Sequence, residues 1–225
     1  MLKILRKILP TPVKKIIRQV LKLIRYTYRK YAIKHAVQNG TVEKIIVGAA
    51  ETYQKGRYST NEQWLDITNK QDWQSVFKQQ ECLTHVVAEH VFEHLHHEEA
   101  QRALEYIYSY LKPGGRVRIA VPDGNNPDPD YIRYVGINGI GDDAADHKQL
   151  LTSGALKDLM EGSGFQAQHI EGYDEKGQLL QNPYHMKDGF IMRSRVHKDT
   201  TLDTPWSFPD AHTSLIVDGI KPLDA

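Results

Sequence analysis

The stretch from residue 83 to residue 121 constrains the fold most, because two apolar strands flank one amphipathic helix in it. The strands are predicted at Leu83 to Ala88 and at Arg116 to Val121. Between them an apolar stripe recurs at helical spacing, formed by Ala100, Ala103, Leu104, Ile107, Tyr108 and Leu111. The turn Lys112-Pro113-Gly114-Gly115 ends this helix. A strand, a helix and a strand of this length predict a right-handed crossover between parallel strands.

Shorter elements continue the alternation along the chain. Strands are predicted at 44–47, 165–173 and 214–220, helices at 72–79 and 153–161, and extended segments at 57–61 and 63–68. We therefore predict an α/β fold, with a mainly parallel, Rossmann-like sheet covered by helices on both faces. Only nine residues separate Val47 from Arg57, so the first crossover is shortened and its helix very short or absent.

The charge is distributed unevenly between a basic head and an acidic body. Residues 1–34 contain eleven of the 29 Lys and Arg residues and no acid, which leaves 18 basic and 28 acidic residues in the rest of the chain. We expect residues 1–40 to form a basic amphipathic helical extension and residues 41–225 to form the domain. The single cysteine, Cys82, argues against a disulfide framework and favours a reducing compartment, so the expected location is cytoplasmic.

The basic head has a helical pattern, with an apolar stripe on one side and Lys and Arg on the other. The stripe consists of Val13, Ile16, Ile17, Val20, Leu21, Ile24, Tyr28 and Tyr31. No apolar run reaches half of the roughly 20 residues of a spanning helix, and basic residues interrupt every candidate signal sequence. Three partners stay open for the stripe: the domain itself, an anionic membrane surface at the inner face of the membrane, and, least favoured, nucleic acid.

In a parallel sheet, ligands bind beyond the carboxyl ends of the strands. The residues that follow the predicted strands are Gly48-Ala49-Ala50, Asn61, Asp66, Glu89-His90 and Asp123-Gly124. Small residues after the first strand allow the backbone to approach a ligand closely. These positions are the candidate site.

The motifs LKPGGRVRIAVPDG and AEHVFEHL, separated by one helix, resemble the class I S-adenosylmethionine-dependent methyltransferases. The similarity extends to a bacterial subgroup of predicted type 11-like methyltransferases through STNEQWLDIT, PDPDYI, ADHKQL and HTSLIVDGIKP, and so covers nearly the whole chain. The resemblance implies a methyltransferase with S-adenosylmethionine as cofactor and a small-molecule, lipid or glycan acceptor. It does not identify the acceptor.

The resemblance also implies a cofactor-binding set, with two departures from the family pattern. The set comprises Gly48, Ala49, Ala50, Asn61, Glu62, Asp66, Ile67, Glu89 and His90. Asp66 matches the acid near the adenine amino group, although a turn residue explains it equally well. The glycine-rich loop is reduced to Gly48-Ala49-Ala50, and Asn61 stands where an acid binds the ribose, with Glu62 as substitute. These departures leave a catalytically degenerate binding or scaffold protein as the alternative.

The histidines of AEHVFEHLHHEE have two interpretations. His90 and His94 would share a helical face as zinc ligands do, but Val91 follows His90 where a metalloprotease has its Glu, so we predict no metal. Glu93, His96, His97, Glu98 and Glu99 are interpreted as solvated residues before and within a helix.

We predict catalytic or substrate-contacting roles for three residues. His90 is the first candidate for a base, because the imidazole pKa lies near neutral pH. Asp123 and His147 are second-line candidates. Asp142, Asp143 and Asp146 form either a cation site or, more commonly, a polar turn, and Tyr131, Arg133 and Tyr134 either line a substrate pocket or pack on the surface.

Overall fold

The structure is a computed structural model that describes residues 10–49, 52–197 and 213–224, apart from the side chains of Lys22 and His197. The helices in this part of the chain are α1 Thr11–Gln38, α2 Lys70–Val76, α3 His97–Tyr110, α4 Pro129–Val135 and α5 Ser153–Gly162. The strands are β1 Lys44–Val47, β2 Tyr58–Ser59, β3 Leu83–Glu89, β4 Leu111–Pro122, β5 Gln166–Tyr173, β6 Leu179–Gln181 and β7 Ser214–Ile220. Four short 3-10 turns complete this set, including Phe92–His94 and Ala144–Asp146.

The described strands form one mixed sheet in the order β2-β1-β3-β4-β7-β5-β6. Strands β1 to β4 pair in parallel, and β7 is antiparallel to both of its neighbours, β4 and β5. Strand β5 therefore runs in the same direction as β4. The prediction of a mainly parallel α/β sheet is confirmed.

The unit β3-α3-β4 forms in the predicted order because each element buries the apolar residues that identified it, but β4 begins at Leu111, directly after α3, and not at Arg116. Val86, Val87 and Ala88 of β3 are fully buried, as expected for a strand covered on both faces. Helix α3 begins with Glu99 accepting a hydrogen bond from the backbone N–H of His96 at 2.8 Å. Its stripe of Ala100, Ala103, Leu104 and Ile107 is fully buried.

The first crossover contains no helix within residues 52–57, and it returns directly to the sheet. The N–H of Thr60 donates to the carbonyl of Ile46, and the N–H of Ala49 donates to the carbonyl of Thr60. The prediction that 63–68 is extended is wrong. These residues form turns, because the carbonyl of Asn61 accepts the N–H groups of both Trp64 and Leu65 and so reverses the chain.

Helix α1 contacts the domain only near its C-terminal end within the described structure. Ile33 and Ala36 are buried, whereas the predicted apolar stripe is exposed from Val13 at 37% to Tyr28 at 71%. Docking of this stripe on the domain is therefore not observed among the described residues. No described helix has the length and hydropathy that would let it cross a membrane.

The polar segment after β5 folds back onto one face of the sheet. Ile191 packs with Ile46, Val87 and Ile216 in a second, smaller apolar cluster. The buried Glu171 secures the segment, because its carboxylate accepts hydrogen bonds from the Ser194 hydroxyl and the Arg195 N–H, both at 2.6 Å. This packing brings residues near 193 to the carboxyl end of β3.

Candidate functional site

A large open cavity of about 940 Å³ lies beyond the carboxyl ends of β1 and β3. We call it the larger cavity. Its lining includes Gly48, Glu62, Leu65, Asp66, Ile67, His90, Val91, His94 and Asp143. Ligand pockets typically occupy about 300–1,000 Å³, so its size is that of a cofactor site.

A second cavity of about 240 Å³ adjoins the first. We call it the smaller cavity. Its lining includes His90, Glu93, His94, Tyr134, Asp143, His147 and Arg193. His90, His94 and Asp143 line both cavities, so these three residues stand where the two spaces meet.

Gly48 forms the turn that follows β1, at the wall of the larger cavity. Its φ of +57° lies in the left-handed region that glycine adopts without strain. A Cβ at this position would lie 2.6 Å from Cγ2 of Val91. One glycine thus lets the β1 turn and the segment after β3 approach closely, although the family's glycine-rich loop is otherwise absent.

Asp66 and Ile67 line the larger cavity together, as the resemblance implied. Oδ1 of Asp66 accepts hydrogen bonds from the Thr68 N–H at 2.9 Å and from the Thr68 hydroxyl at 2.7 Å. Asp66 is therefore a turn residue and a cavity residue at once. The carbonyl of Ile67 accepts from the indole of Trp73 at 3.0 Å, which fixes this turn against α2.

The remaining residues expected after β1 and β2 are placed differently. The side chain of Asn61 accepts the N–H of Gln63 at 3.0 Å and caps its own turn, whereas the neighbouring Glu62 lines the larger cavity. Of these two residues, only Glu62 lines the larger cavity. Ala49 is buried in the second apolar cluster, and Ala50 lies outside the described residues.

Glu89, at the end of β3, binds the backbone of the returning segment. Its Oε1 accepts the N–H of Arg193 at 2.9 Å, and the Arg193 Nη1 lies 3.2 Å from Nδ1 of His90. Glu89 thus positions Arg193 beside His90 rather than lining either cavity itself. The sequence pattern around Arg193 gave no signal, because residues 174–212 have no clear periodicity.

His90 is held in an unusual backbone conformation at the junction of the cavities. Its φ is +54°, which is uncommon for a residue with a Cβ and costs about 1–2 kcal/mol. Nδ1 lies 2.9 Å from Oε1 of Glu93, and Nε2 lies 3.2 Å from the hydroxyl oxygen of Ser214. The idea that His90 and His94 share a helical face is wrong, because only residues 92–94 form a 3-10 turn.

Glu93 is buried, with 1% of its surface exposed, so the interpretation of Glu93 as a solvated residue is wrong. The 3-10 turn points it inward beneath His90. Neither carboxylate oxygen has a hydrogen bond of good geometry within the described structure, and the 2.9 Å approach to His90 is a charge contact. Burial acts to raise the pKa of Glu93, but the close contact with His90, followed by its own backbone N–H and by His94, outweighs burial, and the pKa is held below its ordinary value.

His147 reaches the smaller cavity from the loop after α4 and is 7% exposed. Its Nδ1 lies 2.7 Å from the carbonyl of Val135, which only a protonated Nδ1 can bond. In the neutral ring, Nε2 is then the nitrogen without a proton. The ring packs edge-on against His94, with 4.9 Å between the ring centroids.

Four residues that the sequence singled out between 131 and 146 lie in three places: at the smaller cavity, in the core and on the surface. Tyr134 lines the cavity, whereas Tyr131 is buried and Arg133 pairs with Asp130 on the surface. Asp146 is exposed and lies 3.4 Å from Nδ1 of His94.

Asp123 does not lie where it could contact a substrate, contrary to our expectation, and has a structural role. It is fully buried, and its carboxylate accepts the N–H groups of Asn125 at 3.1 Å and Tyr173 at 2.8 Å. Burial raises the pKa of Asp123 above its ordinary value. These bonds join the end of β4 to β5 and direct the carboxylate away from both cavities.

Comparison with known proteins gives a family match. A model of the methyltransferase domain matches residues 33–170, more than half of the chain. Among proteins with curated descriptions, no significant match is found.

Two solved structures are similar in fold. A SAM-dependent methyltransferase from Archaeoglobus fulgidus is 14% identical, with 86% of this chain and 94% of that chain covered and a TM-score of 0.46. An S-adenosylmethionine-dependent methyltransferase from Mesorhizobium loti is 12% identical, with 83% and 96% covered and a TM-score of 0.44. On the strength of the domain match and the sheet that carries it, this chain belongs to the class I S-adenosylmethionine-dependent methyltransferase family.

Proposed function

We propose that this protein transfers a methyl group from S-adenosylmethionine in the larger cavity to an acceptor in the smaller cavity. One observation carries the proposal: the two cavities meet at His90, His94 and Asp143. A transfer reaction needs donor and acceptor in adjoining spaces with their reacting atoms in line. A degenerate binding protein needs no second cavity of this kind.

The residues of the larger cavity fit the cofactor. Gly48 lets the β1 turn lie against Val91 at the cavity wall, Asp66 offers a carboxylate toward an amino group, and Glu62 offers one toward ribose hydroxyls. S-adenosylmethionine, when bound, supplies an electrophilic methyl group on a sulfonium whose charge is neutralised in the reaction. The chain therefore contributes mainly by positioning both partners and by excluding water.

His90 is the proposed proton acceptor for a hydroxyl, amine or carboxyl acceptor. Glu93, below it, stabilises the imidazolium that forms, in the way a buried carboxylate orients a catalytic histidine. Nε2 lies 3.2 Å from the hydroxyl of the buried Ser214, which lines neither cavity, so an acceptor displaces this contact when it delivers its proton to His90. His147, with its unprotonated Nε2 at the same cavity, is the second candidate.

A cavity of about 240 Å³ holds only the reacting part of a larger acceptor. Its wall carries one basic side chain, Arg193, beside the acids Glu93, Asp142 and Asp143, so its charge does not favour an anionic acceptor. We therefore propose a small molecule, lipid or glycan whose reacting part enters the cavity and whose remaining bulk stays outside it.

The test is the release of S-adenosylhomocysteine on incubation with S-adenosylmethionine and panels of small molecules, lipids and glycans. His90→Gln is expected to slow release about 100-fold or more, which is the usual contribution of acid–base catalysis. His97→Gln is the matched control, because His97 is exposed in the same segment and lines neither cavity. Equal rates in both variants would remove His90 from the mechanism, and cofactor binding without release for any acceptor would favour the degenerate alternative.

We further propose that α1 holds the domain at an anionic membrane surface. Its exposed apolar residues include Ile16, Ile17, Val20, Leu21 and Ile24, each between 40% and 59% exposed. The same helix contains no acid, and Lys and Arg occupy its other side. A long basic amphipathic helix of this kind lies in the interface of an anionic bilayer.

Sedimentation with vesicles tests the membrane proposal. The protein is expected to sediment with vesicles containing anionic lipid and to remain free with neutral vesicles. Ile17→Ser combined with Ile24→Ser should weaken binding, whereas Leu223→Ser, which changes an exposed apolar residue outside the helix, should not. Binding to duplex DNA in place of vesicles, with a steep salt dependence, would contradict the proposal.

A further inference from the structure

Three side chains at the smaller cavity form a cluster whose chemistry is that of a metal site. One ligand atom from each of Glu93, His94 and His147 lies within 4.8 Å of the other two. Two imidazoles and one carboxylate are the ligand set of several catalytic zinc sites and of facial iron sites. The geometry points to a divalent transition-metal site formed by Glu93, His94 and His147.

The buried carboxylate supplies the first supporting observation. Glu93 is 1% exposed, and neither of its oxygens has a hydrogen-bond partner of good geometry among the described residues. A buried carboxylate without hydrogen bonds is costly unless a cation compensates it. His90 supplies one charge contact, at Oε1, so a metal ion at the other oxygen completes the compensation.

His147 supplies the second observation, because it has the orientation typical of a metal-binding histidine. Its Nδ1 donates to the carbonyl of Val135, which leaves the unprotonated Nε2 as the only ligand atom of the ring. Metal-binding histidines are commonly held in this way by a backbone carbonyl. The contact with Val135 thus fixes both the tautomer and the direction of the ring.

His94 is the member of the cluster that can adjust. Zinc bonds of about 2.0–2.2 Å place ligand atoms about 3.3–3.6 Å apart, so binding requires the cluster to contract. The side chain of His94 is 29% exposed, and Nδ1 is 3.4 Å from the exposed Asp146 without a hydrogen bond. A rotation of His94 therefore closes the site at small cost.

An ion held by three protein ligands keeps an open position toward the smaller cavity, where the acceptor is proposed to bind. Such an ion lowers the pKa of a bound hydroxyl and orients it. This role depends on the proposed methyl transfer. Metal binding itself does not, and it is measured without the cofactor.

The test uses the full chain, freed of metal with a chelator, and titrates it calorimetrically with Zn²⁺. We expect one ion per chain, with binding weakened at least tenfold by Glu93→Gln, by His94→Gln and by His147→Gln. His97→Gln is the control, since it removes an exposed histidine from the same segment. Far-ultraviolet circular dichroism checks that each variant is folded.

Cobalt gives a second readout that a misfolded variant cannot imitate. Co²⁺ bound by two imidazoles and a carboxylate should give visible absorption bands in the wild-type chain and in His97→Gln, and these bands should be lost in His94→Gln. Absence of saturable Zn²⁺ binding by the wild-type chain would overturn the inference. So would Zn²⁺ binding that His97→Gln abolishes and His147→Gln leaves intact, since the ion would then be held by surface histidines.

Discussion

Oε1 of Glu93 lies 2.9 Å from Nδ1 of His90, which places a buried carboxylate beneath the residue that both cavities share. The relationship depends on two features of the backbone: the positive φ of His90 and the 3-10 turn at Phe92–His94. Together they turn His90 toward the cavities and Glu93 into the core. A change at either residue of this pair is therefore expected to affect both the stability of the fold and the chemistry of the site.

Removing the Glu93 carboxylate should destabilise the fold. Glu93→Ala is expected to lower the free energy of unfolding at pH 7 by about 1.5–3 kcal/mol, because it removes the contact between the carboxylate and His90 and leaves a small cavity. Glu93→Gln, which keeps the shape, should cost less. The pKa of Glu93 in the folded chain lies below its ordinary value. The stabilisation by its carboxylate is therefore present above about pH 4.5 and is lost as pH falls through the lower pKa of the folded chain. Urea unfolding of both variants measures it, and a cost under 1 kcal/mol for Glu93→Ala would contradict the account.

Gly48→Ala should weaken cofactor binding through a contact that a second change relieves. The new methyl group would meet Val91, 2.6 Å away, and the φ of +57° would add about 1–2 kcal/mol of strain. Adding Val91→Ala removes the collision but not the strain. Calorimetry should therefore show weaker binding of S-adenosylhomocysteine by the single variant and partial recovery by the double variant. Wild-type affinity in Gly48→Ala would exclude close approach at this turn.

The lowered pKa of His85, on β3, predicts that the fold loses stability in mild acid. Burial, followed by the charges of Lys44 and Arg57, lowers the pKa of His85 to about 4. The unfolded chain then binds the proton more readily than the folded one between pH 6.5 and 4, so stability falls as pH decreases through that window. His85→Gln should recover about 2 kcal/mol of the loss at pH 5. Parallel urea titrations at pH 7.5 and pH 5 check this, and an equal acid loss in both proteins would refute it.

Asp123→Asn separates a structural role from a role in the site. The carboxylate accepts two backbone N–H groups, from Asn125 and Tyr173, and an amide oxygen replaces only part of that. We expect a loss of about 1–3 kcal/mol in the free energy of unfolding, with cofactor affinity changed less than twofold. Thermal melting and calorimetry measure the two quantities. A stable variant that no longer transfers methyl groups would restore the original prediction for Asp123.

The parts of the fold that were predictable are those with a strong local pattern. Strands β1 and β7 have the predicted bounds, and α3 follows its apolar stripe, because each buries the residues that show the periodicity. The turn at 61–68 was not predictable from alternation. Its direction is set by hydrogen bonds to the Asn61 carbonyl, which leave no periodic signal.

The site was predictable only where strands end. Gly48 and His90 directly follow β1 and β3, and the carboxyl-edge rule finds both, whereas Asp66 lies in the turns after β2 and is singled out by the family pattern. Glu93 was misread because a charged residue before a helix is usually solvated, and only its proximity to His90 and His94 explains its burial. Arg193 reaches the cavity through packing of residues distant in sequence, which no local pattern encodes.

The central claim is that the larger cavity binds S-adenosylmethionine, and calorimetric titration of the full chain tests it most directly. Asp66→Ala removes a carboxylate that both lines the cavity and caps a turn. Asn69→Ala is the control. Asn69 accepts the Gln71 N–H on the same segment and does not line the cavity, so this change removes only a cap. We predict micromolar binding by the wild-type chain and Asn69→Ala, and binding at least tenfold weaker in Asp66→Ala, as expected from a lost charged hydrogen bond of about 1.5–3 kcal/mol. No saturable binding by the wild-type chain, or equal binding by all three proteins, would contradict the account.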